Sequence, residues 1–320
     1  MKTIKEYSGI INAAIAAMTY DGPASLFDPI RYTMEGEGKR LRPVLTLAVA
    51  EAMHADVEKA VRPALGVELY HNFTLLHDDI MDNSPTRRGR QAVWKKWSEA
   101  QAILSGDTML SVAMSCMVSS GYTDSQRLAM VDCFNTTALA VDRGQQYDMD
   151  FERRGDVTLD EYIGMISLKT GELLAGACCI GAICGNAAAS VLKAFREYGI
   201  SLGIAFQIQD DILDVYGDEA TLGKPIGGDI LNDKHTWLHI CAMAEAHDEM
   251  SEIYDRKAAG AEKIDAVRGV YDRLGLRDKG GCEVERYLEC AVQALDGAGL
   301  SADAHQFFVD FAHSLIGRKK

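Results

Sequence analysis

Residues 75–82 read LLHDDIMD and residues 207–214 read QIQDDILD. A DDxxD cluster that follows apolar residues therefore occurs twice, far apart in the chain. On an α-helix, side chains at i, i+3 and i+4 share a face. The aspartates of each copy should therefore project together from the end of a buried helix. The two clusters comprise Asp78, Asp79 and Asp82, and Asp210, Asp211 and Asp214.

The rest of the chain also has the pattern of helices. Leu, Ile, Ala and Met recur at helical spacing, no segment alternates convincingly with period two, and only 6 prolines interrupt 320 residues. No linker, low-complexity tract or block of charge divides the sequence. The sequence therefore predicts an all-α fold in one domain that covers residues 1–320.

Composition limits the functions that the chain can have. The formal net charge is −14, which argues against nucleic acid as a partner. The 8 cysteines follow no zinc spacing and are predicted to be reduced thiols. Residues 1–18 resemble an amphipathic first helix rather than a signal peptide, and no stretch forms a clean transmembrane span. We therefore expect a cytoplasmic protein with no stable membrane insertion.

Carboxylates that crowd one helix face repel each other and need cations to stay ionised. Mg²⁺ is the natural cation, because it takes hard oxygen ligands and commonly bridges carboxylates to substrate phosphates. A single DDxxD would more often be a solvated acidic face, but two copies that each end an apolar helix favour a metal site. The glycine and glutamate pattern of an EF-hand is absent from both copies.

Basic groups lie near the aspartates in the sequence. Residues 38–43 read GKRLRP, and residues 87–90 read RRGR, shortly after the first cluster. His71 precedes Asp78 by two helical turns and should share its face. Lysines flank the glycine-rich segment 223–228, which we interpret as a mobile lid. Each group alone would usually be a surface patch, but beside carboxylates they indicate phosphate binding.

These motifs, in this order and over nearly the whole chain, resemble those of the trans-isoprenyl diphosphate synthases, the polyprenyl synthetase family. The resemblance implies a bundle of long antiparallel helices around a deep central cavity, in a protein that is usually a homodimer. It also implies a Mg²⁺-dependent prenyltransferase that joins isopentenyl diphosphate to dimethylallyl, geranyl or farnesyl diphosphate. An apolar cavity would protect the allylic carbocation from water, and released pyrophosphate would serve as the base.

The resemblance assigns roles to particular residues. The six aspartates would bind Mg²⁺, and catalysis would depend on five of them and one lysine: Asp78, Asp79, Asp82, Asp210, Asp211 and Lys169. The isopentenyl diphosphate site would comprise Lys39, Arg42, His71 and Arg88. The allylic diphosphate site would comprise Arg87, Lys169, Thr170, Gln207, Lys224 and Lys234. Asn232 and Asp233 stand before Lys234 where the family commonly has glycine, which makes Lys234 the least secure of these assignments.

In this family, product length depends on side-chain bulk about one turn before the first cluster. Here Phe73 would form an aromatic floor while Thr74 leaves room, a pattern that favours a twenty-carbon product. Farnesyl diphosphate, with fifteen carbons, is the main alternative. A class I terpene cyclase is a further alternative, although it normally has a different second metal motif. A non-catalytic subunit of a heteromeric prenyltransferase is the last, although such subunits typically lose residues that this chain keeps.

Overall fold

A computed structural model describes residues 1–118, 121–217, 226–256 and 260–316. These residues form an all-α protein, which confirms the predicted fold class. The helices are α1 (Ile4–Ala16), α2 (Ala24–Met34), α3 (Leu41–Ala52), α4 (Val57–Met81), α5 (Val93–Lys96), α6 (Glu99–Met117), α7 (Asp124–Phe151), α8 (Leu159–Ile166), α9 (Glu172–Cys184), α10 (Ala189–Tyr216), α11 (Gly228–Leu231), α12 (Trp237–Glu245), α13 (His247–Asp255), α14 (Ala261–Arg273), α15 (Leu276–Ala294) and α16 (Ala302–Ile316).

Two short elements depart from regular α-helix. Strands β1 (Thr86–Arg87) and β2 (Arg90–Gln91) pair antiparallel as a minimal hairpin. A π-helix spans Ser167–Gly171, between α8 and α9. Both elements contain residues that the sequence assigns to the diphosphate sites.

The chain divides into two compact units. Unit 1 comprises Met1–Thr137, Leu173–Arg196 and Gly297–Phe307, and unit 2 comprises Ala138–Glu172, Glu197–Asp296 and Phe308–Lys320. Each unit uses separate parts of the sequence, so neither is a continuous segment. The single domain over residues 1–320 stays a prediction.

Within unit 1, α4 is the central helix and packs on α3 and α6. Asp56 caps its first turn by accepting a hydrogen bond from the backbone N–H of Glu58 at 2.9 Å. From Ala60 to Leu76 most of its residues are buried, so the helix carries its apolar sequence through the core. The core stops short of the end of α4, which brings the first aspartate cluster to the edge of unit 1.

Within unit 2, α8 begins with a capping box, in which Thr158 and Glu161 each satisfy the other's backbone N–H. Residues 159–184 are long and apolar enough to cross a membrane, but 72% of the most apolar window is buried inside the protein. This stretch is therefore a buried core segment.

Candidate active site

The first aspartate cluster occupies the last turn of α4. Asp82 is the C-cap residue and is exposed, whereas Asp79 is only 4% exposed. The C-terminal end of a helix carries partial negative charge, so carboxylates there are unfavourable unless cations neutralise them. The cluster is therefore a site that attracts cations.

Asp79 is paired within the protein. The Arg87 guanidinium donates from Nε to its Oδ1 at 2.8 Å, and a terminal nitrogen forms an ion pair with the same oxygen at 2.6 Å. Burial raises the pKa of Asp79, and the hydrogen bond and charge of Arg87 oppose that rise. Asp79 and Arg87 thus form a mutually dependent pair.

The hairpin that bears Arg87 and Arg88 is fastened to α2. Arg88 and Gly89 have φ of +52° and +71°, as the two central residues of a tight type I′ turn require. Tyr32 donates from its hydroxyl to the carbonyl of Gln91 at 3.0 Å. The Arg90 guanidinium lies 3.7 Å from the centre of the Tyr32 ring and donates to the Tyr32 carbonyl at 3.2 Å. These contacts fix the orientation of the hairpin.

The GKRLRP segment reaches the same region of unit 1. Arg40 is buried with φ of +51°, pairs with Glu68 at 2.7 Å, and donates to the carbonyls of Met34 and Gly36. A Cβ added at Gly38 would lie 3.0 Å from a terminal nitrogen of Arg88, so the loop packs directly on that arginine. The structure therefore brings the two basic segments together.

His71 lies on α4 beside Arg42, the second residue of α3. An Arg42 terminal nitrogen donates to His71 Nε2 at 3.2 Å, because arginine can only donate. Burial and the charge of Arg42 hold the pKa of His71 well below its ordinary value. The imidazole is therefore neutral, with its proton on Nδ1. Lys39, on the far side of Arg40, is exposed.

Phe73 is half-buried on α4 and is held by two neighbours on the same helix. Its ring centre lies 5.5 Å from that of Tyr70 and 4.8 Å from that of His77. Tyr70 in turn packs edge-on against Phe134. The Thr74 hydroxyl donates a hydrogen bond to the carbonyl of His71 at 2.8 Å, so the polar group of this small side chain has a partner on its own helix.

The second aspartate cluster lies near the C-terminal end of α10, in unit 2. Asp211 is 3% exposed and accepts hydrogen bonds from the Tyr162 hydroxyl, the backbone N–H of Trp237 at 2.9 Å and the Gln207 amide at 3.2 Å. Burial raises the pKa of Asp211 to about 7, and Asp229 adds to the rise. Asp214 is fully buried and accepts from the backbone N–H of Asp229 at 3.0 Å. Asp210 is partly exposed beside them.

The π-helix presents the other predicted residues of unit 2. Thr170 donates its hydroxyl to Gln207 Oε1 at 3.1 Å, which links the π-helix to Asp211 through Gln207. Lys169 pairs with Asp148 on α7 at 2.6 Å. A π-helix inside a longer helix is rare and often occurs at a functional site. The spacing of apolar residues in the sequence does not distinguish this stretch from α-helix.

Sequence reasoning missed two acidic residues, Asp148 in the last turn of α7 and Glu152 directly after its end. Asp148 binds Lys169 and lies 4.0 Å from the ammonium of Lys234, which also pairs with Glu152. Their i, i+4 spacing on one helix face was the available signal. Lys224 lies outside the described residues.

Both clusters suit a hard divalent cation by the chemistry of their donors. Both consist of carboxylate oxygens at or near helix C-termini. Asp82 of the first cluster is exposed, and Asp210 of the second cluster is partly exposed. In the described ranges, no three potential ligands converge into a complete metal site. Mg²⁺ normally takes only one or two carboxylates, and waters and substrate phosphates complete its shell. The residues present therefore fit the ion.

A family model described as polyprenyl synthetase matches residues 23–272, which includes both clusters and both basic segments. The chain belongs to the polyprenyl synthetase family. This polyprenyl synthetase is 37% identical over 294 residues to geranylgeranyl diphosphate synthase of Methanosarcina mazei, covering 92% of this chain and 90% of the relative. It is 33% identical over 290 residues to (2E,6E)-farnesyl diphosphate synthase of Mycobacterium bovis, covering 88% and 80%.

Solved structures agree with this assignment. A crystal structure of a geranylgeranyl pyrophosphate synthase superposes with a TM-score of 0.93 at 36% identity and full coverage of both chains. The polyprenyl synthetase described here is thus a short-chain prenyltransferase, as the sequence predicts. Its family implies isopentenyl diphosphate and an allylic diphosphate as substrates.

Proposed function

We propose that this enzyme condenses isopentenyl diphosphate head-to-tail with allylic diphosphates and releases geranylgeranyl diphosphate, in a Mg²⁺-dependent reaction. The single observation that carries the proposal is the basic group in unit 1, where Arg42 bonds neutral His71 and Arg88 packs on Gly38. A cyclase, which has one diphosphate substrate, would not need such a group beside its metal-binding aspartates.

The basic group is assigned to isopentenyl diphosphate. Arginine guanidinium groups match diphosphate oxygens with paired hydrogen bonds, and lysine adds a point charge. Arg42 and Arg88 would form the paired bonds, Lys39 would contribute charge, and neutral His71 would orient Arg42. This assignment needs no metal ion at the isopentenyl diphosphate.

The residues of unit 2 are assigned to the allylic diphosphate. Lys169 and Lys234 are held by the acidic residues Asp148 and Glu152, and Thr170 is oriented by Gln207. These contacts fix the two ammonium groups and one hydroxyl before substrate arrives, which lowers the cost of binding. Arg87 and Lys224 complete the proposed set.

The six aspartates are assigned to Mg²⁺, but they are proposed to contribute to its binding in different ways. Asp79, Asp211 and Asp214 each accept hydrogen bonds from protein donors, so their positions are fixed by the fold. Asp82 is exposed and Asp78 and Asp210 are partly exposed, so these three are proposed as the more direct ligands. When bound, the ions would neutralise charge that develops on the departing diphosphate.

The remaining chemistry depends on the surroundings of the substrates. Lys169 and Lys234 would stabilise the departing pyrophosphate, and apolar side chains would keep water from the allylic cation. The basic group would hold isopentenyl diphosphate for attack, and the released pyrophosphate would accept the proton. No side-chain base is assigned.

Product length is assigned to Phe73. Its ring is wedged between Tyr70 and His77, so it should act as a fixed floor beneath the first cluster, while Thr74 leaves room. A floor of one ring favours twenty carbons. Fifteen carbons is the alternative, since the relative from Mycobacterium bovis is named as a farnesyl diphosphate synthase.

The enzyme is further proposed to be a cytoplasmic homodimer. Ile103 and Leu104, which are adjacent on α6 in unit 1, have exposures of 42% and 54%. A contiguous exposed apolar patch often marks an interface between subunits, and these neighbours are proposed to belong to one. Light scattering after size exclusion should give twice the chain mass, and a monomer at micromolar concentration would contradict the assignment.

The proposed roles can be tested with variants of each site. We expect Arg42→Met to raise the KM for isopentenyl diphosphate at least about tenfold and leave the KM for farnesyl diphosphate nearly unchanged. Thr170→Val should raise the KM for farnesyl diphosphate and leave the KM for isopentenyl diphosphate nearly unchanged. Arg31→Met, which removes an exposed ion pair with Asp28, is the control and should change neither constant. Pyrophosphate release without isopentenyl diphosphate would instead indicate a cyclase.

A further inference from the structure

The turn that precedes Lys234 has an unusual backbone. Asp233 has φ of +55°, a left-handed conformation that costs energy for any residue with a Cβ. Its carboxylate pairs with the ammonium of Lys263 on α14. The two side chains differ in burial, since Lys263 is 10% exposed and Asp233 is 64% exposed. The exposed residue thus adopts a costly conformation while paired with a buried partner.

The surroundings of Lys263 explain this pairing. Its ammonium lies 4.5 Å from the centre of the Tyr254 ring, and the Tyr254 hydroxyl and His239 Nδ1 share a hydrogen bond of 3.1 Å. Burial lowers the pKa of His239 to about 4, so the imidazole is neutral. Neither neighbour supplies a negative charge, and a buried ammonium is costly without one. Asp233 is therefore the anion that compensates Lys263.

The same turn is also anchored on its other side. Gly227 has φ of +75°, and a Cβ there would lie 2.6 Å from Ile264, the residue after Lys263 on α14. The backbone N–H of Lys234 donates to the carbonyl of Asp229 at 3.0 Å, which closes the turn. Residues 227–234 are thus fixed to α14 at both ends.

The side chain of Lys234 extends away from this anchor. Its ammonium reaches Glu152 and lies near Asp148, the residue that also pairs with Lys169. The backbone on which Lys234 stands is set by Asp233, and the position of Asp233 is set by Lys263. The contacts therefore form a path from a buried lysine to a predicted substrate lysine.

We propose that Lys263 and Asp233 are positioning residues for Lys234 and thereby for the allylic diphosphate. The inference rests on the role proposed above for Lys234. The pair does not touch substrate. It fixes the backbone so that the Lys234 ammonium sits beside that of Lys169, where two cations can bind one diphosphate.

The pair should control allylic affinity selectively. Small misplacements of a binding group can cost up to two orders of magnitude, so loss of the pair should weaken allylic binding about tenfold. Isopentenyl diphosphate should be unaffected, because its proposed residues all belong to unit 1. A general loss of folding would weaken the binding of both substrates together.

The experiment measures the Kd of farnesyl thiodiphosphate, an unreactive allylic analogue, by calorimetry, with the KM of each substrate measured in parallel. Lys263→Met and Asp233→Asn should each raise the Kd of the analogue and the KM of the allylic substrate about tenfold. The double variant should raise both constants little further, because the two residues act as one pair. Lys263→Arg, which keeps the charge, should recover most of the affinity. Lys279→Met, which removes an exposed pair with Glu245, is the matched control and should leave the Kd unchanged.

Asp233→Gly separates the ion pair from the backbone conformation. Glycine adopts positive φ without strain, so this variant should fold well and still lose allylic affinity. It also keeps the test decisive if Lys263→Met fails to fold. Wild-type affinity in Asp233→Gly would overturn the proposal.

Lys234→Ala distinguishes the two levels of inference. If Lys234→Ala weakens the analogue and Lys263→Met and Asp233→Gly do not, the positioning role is overturned and the role of Lys234 stands. If Lys234→Ala has no effect while the wild type still elongates farnesyl diphosphate, both roles are overturned and the prenyltransferase activity stands.

Discussion

The guanidinium of Arg87 donates a hydrogen bond from Nε to Oδ1 of Asp79 and forms an ion pair with the same oxygen through a terminal nitrogen. Asp79 is the central carboxylate of the first aspartate cluster. Asp79 is 4% exposed, and the arginine reaches it from the short hairpin that follows α4. The sequence had assigned Arg87 to the allylic diphosphate and Asp79 to Mg²⁺. The pair shows that both residues also stabilise the fold around the first cluster.

Loss of Arg87 should therefore destabilise the protein. Arg87→Met leaves Asp79 buried without the guanidinium donor, and the free energy of unfolding should fall by about 1–3 kcal/mol. The exposed side of Arg87 limits the loss, since water can partly replace the guanidinium. Denaturant unfolding of both proteins measures the difference.

Arg31→Met serves as the matched control for this change. Arg31 pairs with Asp28 on the surface, and its removal should cost less than about 1 kcal/mol. Equal losses in the two variants would show that the Arg87–Asp79 pair contributes no more than a surface ion pair.

Gly144→Ala should disrupt the segment that carries Lys169. A Cβ at Gly144 would lie 2.3 Å from the backbone nitrogen of Lys169, and backbone cannot move aside as a flexible side chain does. We expect a loss of about 1–3 kcal/mol in stability and a raised allylic KM. Thermal unfolding and steady-state kinetics measure the two effects.

Gly164→Ala is the control on α8, since nothing lies within 4 Å of an added Cβ there. Alanine favours helix over glycine, so this variant should gain about 0.5–1 kcal/mol. A Gly144→Ala variant as stable and active as Gly164→Ala would mean that α7 does not pack closely on the π-helix.

His239 should make stability depend on pH on the acid side. Burial lowers the pKa of His239 from 6.5 to about 4, with the nearby His235 adding to the shift. Between these values the unfolded chain binds a proton that the folded chain does not, so stability falls as pH drops from about 6.5 to 4. The shifted pKa of His239 should lower the free energy of unfolding by about 3 kcal/mol at the acid end of this range, at about 1.36 kcal/mol per pKa unit.

His239→Gln removes the titrating group and keeps a hydrogen-bond partner for the Tyr254 hydroxyl. Urea unfolding at pH 7 and pH 4.5 should show a smaller acid loss in the variant than in the wild type. Identical pH profiles would contradict a buried neutral imidazole.

Phe73→Ala should lengthen the product. Removal of the ring opens space beneath the first cluster, where Tyr70 and His77 now hold it. Chromatography of the dephosphorylated products should show chains longer than the wild-type product by one or more five-carbon units. Arg31→Met, which removes an exposed ion pair with Asp28, is the control and should leave the length unchanged.

Much of the fold and of each aspartate cluster was predictable, because helical spacing and DDxxD are local patterns. The neutral state of His71 was not, since it depends on burial and on Arg42 from another segment. Asp148 was missed because its function comes from a lysine twenty-one positions away in the sequence. The π-helix at Lys169 has no sequence pattern that separates it from α-helix. Contacts between distant segments decide each of these features.

The most direct test of the account is the product made by the purified wild-type enzyme. It would be incubated with labelled isopentenyl diphosphate, farnesyl diphosphate and Mg²⁺, with a parallel reaction in which EDTA removes the metal. The account predicts geranylgeranyl diphosphate as the main product and none with EDTA. Farnesyl diphosphate left unextended, or equal turnover with EDTA, would contradict it.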